Sequence, residues 1–203
     1  MAKIILDLCG GSGSWSKPYK DAGYDVRLVT LPEHDARTYE PPVGVYGVLA
    51  APPCTEFSYV KNEKLPRDIE GALEVVRACL RIITWCEPEF HALENPIGHL
   101  VSFLGKPQFT FQPWEFGDPW TKRTGIWGHF NHPKKYYAKF QDVVSNEKLY
   151  IRPGRNKPNM VWLHKSAYDA IDNFHGLPRP TTDAAFRAMT PQGFAHAFFE
   201  ANP

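Results

Sequence analysis

The chain has 203 residues and a formal net charge of +1, with 43% apolar and 22% charged residues. This is a soluble globular balance, long enough for one domain with a sizeable core. No run reaches the roughly 18 apolar residues that span a bilayer, and no signal-peptide pattern opens the chain, so a cytoplasmic monomer without a membrane anchor is expected. The four cysteines, Cys9, Cys54, Cys79 and Cys86, form no C-x-x-C pair, so neither a zinc site nor a disulfide framework is expected.

In chain order, residues 3–8 read as an apolar strand that runs into Cys9-Gly10-Gly11-Ser12-Gly13-Ser14-Trp15. A strand, a glycine-rich turn and a helix open a nucleotide-type α/β fold. Glycine lets the backbone approach a ligand and leaves amide donors at the helix start. Without a ligand, the same turn is a tight strand-to-helix connection. Residues 16–23 give a short helix ending at Gly23, and residues 24–31 a second strand. The stretch from Asp35 to Val45 is too short for a full helix, so this half of the fold is trimmed.

Gly47-Val48-Leu49-Ala50 is a buried strand that ends at Ala51-Pro52-Pro53-Cys54. The two prolines forbid further sheet pairing and stiffen the turn, so the thiol leaves the strand end in a set direction. Residues 55–67 are polar and charged, fitting either a mobile lid or a solvated loop. Residues 68–86 carry apolar side chains at Ile69, Ala72, Val75, Val76, Cys79, Leu80, Ile83 and Trp85, a core-facing helix that Glu87-Pro88 stops. Residues 90–93 form the next strand, with Glu94-Asn95-Pro96 at its tip. A thiol and a carboxylate at neighbouring strand ends of an open α/β sheet face one crevice, where ligands bind in such folds.

Residues 107–130 read as a hairpin around Gly117-Asp118-Pro119, with Lys122-Arg123-Thr124 on its return arm. Residues 131–180 are proline-rich and basic, with nine lysines and arginines against four acids. Aromatics are interleaved: Tyr136, Tyr137, Phe140, Tyr150, Trp162, Tyr168 and Phe174. That mixture suits a phosphate backbone and unstacked bases, or a solvated face over ordinary core aromatics. A final helix is expected from Thr190-Pro191, with Thr190 as cap and Phe194, Ala195, Phe198 and Phe199 on its apolar face.

The ordered set Pro52-Pro53-Cys54, Phe57-Ser58 and Glu94-Asn95, behind the Asp7-x-x-Gly10-Gly11-x-Gly13 turn, resembles the DNA cytosine-5 methyltransferase family, in particular small phage-type members. The resemblance covers residues 3–130 and implies a Rossmann-like class I S-adenosylmethionine-dependent fold, trimmed, with a small basic C-terminal extension. It divides the chain into a catalytic and cofactor-binding core (1–130), a basic substrate-binding insertion (131–180) and a docking helix (181–203). It further implies S-adenosylmethionine as cofactor, held by Asp7, Gly10, Gly11, Gly13, Asp35 and Pro52. Asp35 stands where the family's aspartate takes a hydrogen bond from the adenine amino group. The acid that usually binds the ribose at the second strand's end is replaced by Thr30 or Leu31, with Glu33 nearest. Gln192 and Gly193 stand where larger members have Gly-Asn.

For the reaction, the resemblance implies Cys54 as nucleophile, Glu94 as acid, Asn95 at the base or its loop, and Arg123 or Lys122 on the base or phosphate. Ser58, Lys122, Arg123 and Thr124 fall to the substrate. The partner is DNA with a flipped cytosine. The reduced recognition region leaves two other readings open: an enzyme on free cytosine nucleotides or RNA, and a non-catalytic DNA-binding or cofactor-sensing module.

Overall fold

The computed structural model describes residues 2–171 and 176–203; Phe174, counted above among the interleaved aromatics, lies outside them. Six strands form one sheet: β1 (Ile4–Leu8), β2 (Asp25–Val29), β3 (Val45–Ala50), β4 (Phe90–Pro96), β5 (Phe109–Phe111) and β6 (Thr124–His129), in the order β2-β1-β3-β4-β6-β5. The first four are parallel, and β6 enters antiparallel between β4 and β5. This is a mixed, Rossmann-like α/β sheet of the expected trimmed kind. Its order reverses between β1 and β3, so their carboxyl ends flank the crevice of the switch point.

Each central strand is buried on both sides, which explains the near-continuous apolar runs. Leu6, Leu8, Val48, Ala50, Leu93 and Trp127 face one core with α2 (Ile69–Cys86); Ile5, Leu49, Phe90, Ala92 and Ile126 face a second with Trp15, Tyr19, Phe194 and Phe198. Period-two alternation splits these neighbours between the two faces. Helix α2 begins at Asp68, whose carboxylate accepts from the Gly71 amide at 2.9 Å, and ends at Glu87 in the left-handed region. Its buried stripe is Leu73, Val76, Ala78, Cys79, Ile82 and Ile83. Trp85, expected in the core, is 72% exposed, because the 3.6-residue period carries it off the Ile82–Ile83 face.

Between α1 (Lys17–Asp21) with β2 and strand β3 there is no helix, as the short spacing implied. Residues 30–44 are instead tied down by Arg81, whose guanidinium donates to the carbonyls of Ala36, Arg37 and Tyr39. The β5–β6 hairpin is present, but its connection is not a tight turn. It runs through a 3-10 turn, Pro113–Phe116, closed by reciprocal Gln112 and Glu115 bonds. Gly117, at φ +98°, then reverses the chain.

The C-terminal region adds a core of its own. Trp120, Leu149, Met160, Leu163, Ile171, Phe186 and Met189 form a third core, so the basic segment has an interior of its own. The last part of the chain is two helices, α3 being the short turn Val101–Leu104, α4 Asp183–Ala188 and α5 Gln192–Ala201. Helix α4 supplies Phe186 to the third core, whereas α5 lays Phe194 and Phe198 on the sheet. Thr190 does not cap α5 through its side chain; its amide donates to the Ser14 hydroxyl at 2.7 Å.

Candidate active site

The glycine turn is built by alternating left-handed residues. Cys9, Gly11 and Gly13 have φ of 57°, 56° and 70°. A Cβ on Gly11 would meet nothing within 4 Å, whereas one on Gly10 would lie 2.3 Å from the Asp7 carboxyl. Gly11 therefore fronts open space while Gly10 must be bare to cover Asp7. Ser16 donates to Asp7 at 2.5 Å, and the Gln192 side-chain amide donates to the Ser14 carbonyl at 2.7 Å. Gln192 thus braces the turn from behind. A Cβ on its neighbour Gly193 would strike the Phe116 carbonyl oxygen at 2.1 Å. Asp7 is fully buried, and burial raises its carboxyl to about 6 against the Ser16 bonds that lower it.

Strand β3 stops pairing at Ala50, opposite Leu93 of β4. Beyond that level β4 pairs only with β6, Glu94 opposite Ile126 and Asn95 opposite Gly125. The prolines have released the β3 side, so Glu94 is held by one neighbour and open toward the other. Asn95, fully buried, spans the gap: its Nδ2 donates to the Pro52 carbonyl at 2.9 Å. This bond sets the Pro-Pro-Cys turn against the tip of β4. The turn then closes on itself through the Phe57 and Ser58 amides, which donate to the Cys54 carbonyl at 3.1 and 2.9 Å.

Cys54 is half-buried. Burial pushes its thiol up, the Lys122 ammonium pulls it down, and the Glu94 carboxylate pushes it up again. Lys122 Nζ stands 3.6 Å from Glu94 Oε1, each side chain 11% exposed. The alternative basic residue, Arg123, is exposed and contributes its carbonyl, which accepts from the Ile97 amide at 3.1 Å. Of the pair left open by the sequence, Lys122 is the one the fold turns to the carboxylate. Thr124 is buried and its hydroxyl donates to the Lys122 carbonyl at 3.0 Å, so here it braces the lysine's backbone. The Ser58 hydroxyl accepts from the Val60 amide at 3.2 Å.

The segment after Cys54 is folded back rather than loose. Both Glu56 carboxylate oxygens meet Lys61 Nζ, at 2.7 and 2.5 Å, and Arg67 donates to the carbonyls of Glu56 and Lys61. Asp35 is engaged as well: both its oxygens accept from Arg37, which holds the carboxyl below its usual range. The Arg37 amide adds a further bond to Oδ1 at 2.9 Å, so each oxygen accepts two hydrogen bonds from Arg37. Glu33 is exposed.

In the basic segment, Arg152 lies 4.3 Å over the Trp162 ring, with Trp162 41% exposed. Lys157 sits 4.8 Å over Phe140, while Lys135 and Arg179 are paired with Glu115 and Asp169.

Fold and site together define a Rossmann-like α/β chain with a thiol, a carboxylate and an ammonium group at the carboxyl ends of β3 and β4, next to the point where the sheet order reverses. Among solved structures it is similar to a protein described as a DNA modification methyltransferase encoded within a prophage (E. coli), at 16% identity and a TM-score of 0.47, over 88% of this chain and 56% of that one. The S. pombe Dnmt2 methyltransferase is similar at 13% identity and a TM-score of 0.40, over 77% of this chain and 61% of that one. This chain thus spans less than two thirds of the length of either. No family model and no curated protein matches it, and among the described residues no helix is long and apolar enough to cross a membrane.

Proposed function

We propose that the protein transfers a methyl group from S-adenosylmethionine to carbon 5 of cytosine in DNA. The observation that supports this best is that Cys54 follows the end of β3 while Glu94 stands near the end of its neighbour β4, with Lys122 3.6 Å from Glu94.

The chemistry follows from the base. Carbon 5 of cytosine is a poor nucleophile while the ring is aromatic. A thiolate from Cys54 adding at carbon 6 breaks the aromaticity and makes carbon 5 enamine-like. Charge then builds at ring nitrogen 3, where the Glu94 carboxyl hydrogen-bonds or supplies a proton. Lys122 favours the thiolate over the thiol and helps hold the carboxyl in place. After alkylation, a base takes the carbon 5 proton, the freed electron pair re-forms the 5,6 double bond, and the Cys54–carbon 6 bond breaks to return the thiolate and the aromatic ring. S-adenosylmethionine, when bound, supplies an electrophilic methyl group. The open face at Gly11 and the positive-φ turn through Gly13 fit its methionine end, and Asp35 would reach its adenine amino group by giving up one of its bonds to Arg37.

In a duplex the target carbon is out of reach, so the base must be flipped out at a cost of a few kcal/mol. The basic residues 131–180, with Arg152, Trp162 and Lys157 on their surface, would take the phosphates and unstacked bases. The decisive test is incubation with DNA and methyl-labelled cofactor. Label on cytosine, lost in Cys54→Ala, is the expected result; cofactor binding without transfer to cytosine would reject the assignment.

A further inference from the structure

The folded-back segment after Cys54 borders a cavity of about 640 Å³ that is open to solvent, lined by Tyr59, Glu63, Leu65, Pro66, Arg67 and His99. Its two aromatic walls come from the two loops that carry the reacting groups. Tyr59 follows the Cys54 turn, and His99 follows β4 beyond Glu94. The His99 amide donates to the Phe57 carbonyl at 2.8 Å, and the two rings meet edge to face at 4.8 Å. The gap between the loops is fixed closely: a Cβ on Gly98 would lie 2.1 Å from the Phe57 carbonyl oxygen. Tyr59 is 62% exposed and Leu65 55%, so rings and aliphatic edges are presented to solvent.

The lining chooses among ligands. Arg67 is the cavity's one guanidinium, and both its terminal nitrogens already donate to carbonyls, of Glu56 at 2.7 Å and of Lys61 at 3.2 Å. Glu63 adds a carboxylate. A phosphate would therefore meet the Glu63 carboxylate beside a guanidinium held in place by its two backbone bonds. A flat neutral ring carrying an amino group would instead stack on Tyr59 and donate to Glu63. The volume lies in the range of small-ligand pockets, enough for a nucleobase with its sugar.

Resting on the reading of Cys54 and Glu94 as the reacting pair, we infer that this cavity binds the base next to the target cytosine on the same strand, and prefers an amino-bearing base over thymine. Tyr59 and Glu63 then act as specificity-determining residues. Carboxylates accept from exocyclic amino groups such as that of cytosine, and stacking on an aromatic ring is strong for any base.

The test is fluorescence-anisotropy titration of the full chain with labelled single strands that hold one cytosine flanked by adenines or by thymines. Wild type should bind the adenine-flanked strand about tenfold more tightly. Tyr59→Ala should weaken that strand about tenfold, the scale of one lost stacking partner, and Glu63→Leu, which removes the acceptor, should bring the two strands to similar affinity. Equal affinities in wild type, no binding of either strand, or no effect of Tyr59→Ala would overturn the inference. The titration needs no methyl transfer. Cytosine methylation with flank-independent binding therefore removes the base cavity alone, and flank-dependent binding without methylation removes the proposed activity alone.

Discussion

Lys122 Nζ lies 3.6 Å from Glu94 Oε1, and the same ammonium group lowers the thiol pKa of Cys54 while burial raises it. Burial has the larger effect, so the free thiol sits above its ordinary value and the resting cysteine is protonated at neutral pH. The lysine is the charge that moderates this.

Replacing Lys122 with methionine should shift the pH profile of Cys54 alkylation by iodoacetamide to higher pH, because the thiolate loses the positive charge that lowers its pKa. Arg123→Met should leave the profile in place, since Arg123 is exposed. Equal shifts in both variants would assign the effect to general surface charge. Mass spectrometry of the Cys54 peptide reads the result.

Cys54→Ala should abolish both methyl transfer and the covalent complex with 5-fluorocytosine DNA. Glu94→Gln should reduce the rate about 100- to 10,000-fold, the usual worth of general acid help, and still permit slow adduct formation. An unchanged rate in Glu94→Gln would remove the acid from the mechanism.

Asn95→Leu should destabilise the fold. It leaves the Pro52 carbonyl without its buried donor, a loss of about 1–3 kcal/mol. For a chain of this size that corresponds to a melting temperature lower by about 2–12 °C. Calorimetry on the variant checks the figure, and Asn95→Asp separates the lost donor from lost packing.

Asp7 sets a pH dependence of known sign. Its carboxyl is raised from 3.8 to about 6 by burial, so between those values the folded chain binds the proton that the unfolded chain releases. Stability from this group is present at low pH, falls as pH climbs through about 4 to 6, and stays lost above. The difference is about 3 kcal/mol. Asp7→Asn should be relatively more stable than wild type at pH 7 than at pH 4. Chemical denaturation at both pH values measures it, and parallel changes in the two proteins would contradict the buried-acid account.

A Gly98→Ala substitution should impair activity more than its size implies. The new Cβ would meet the Phe57 carbonyl at 2.1 Å, and the backbone that must give way belongs to the Cys54 turn. Steady-state rates beside circular dichroism would separate a misplaced thiol from a lost fold.

Much of this was written locally. Strand β1, the glycine turn, the Pro-Pro-Cys stop and helix α2 follow from apolar periodicity, proline's missing donor and glycine's positive φ, which depend on near neighbours alone. That Cys54 follows β3 and Glu94 stands near the end of its parallel neighbour β4 was legible from the apolar runs that precede them. What needed the tertiary structure were choices between locally equivalent residues. Lys122 and Arg123 are adjacent and alike in charge, and only the pairing of β6 with β4 turns one toward the carboxylate while the other faces water. The Glu56–Lys61–Arg67 clamp and the third core around Trp120 and Phe186 likewise join residues whose partners lie outside any local pattern. Spacing along a chain reports which side chains share a face; which faces meet is set by packing, and packing is a property of the whole.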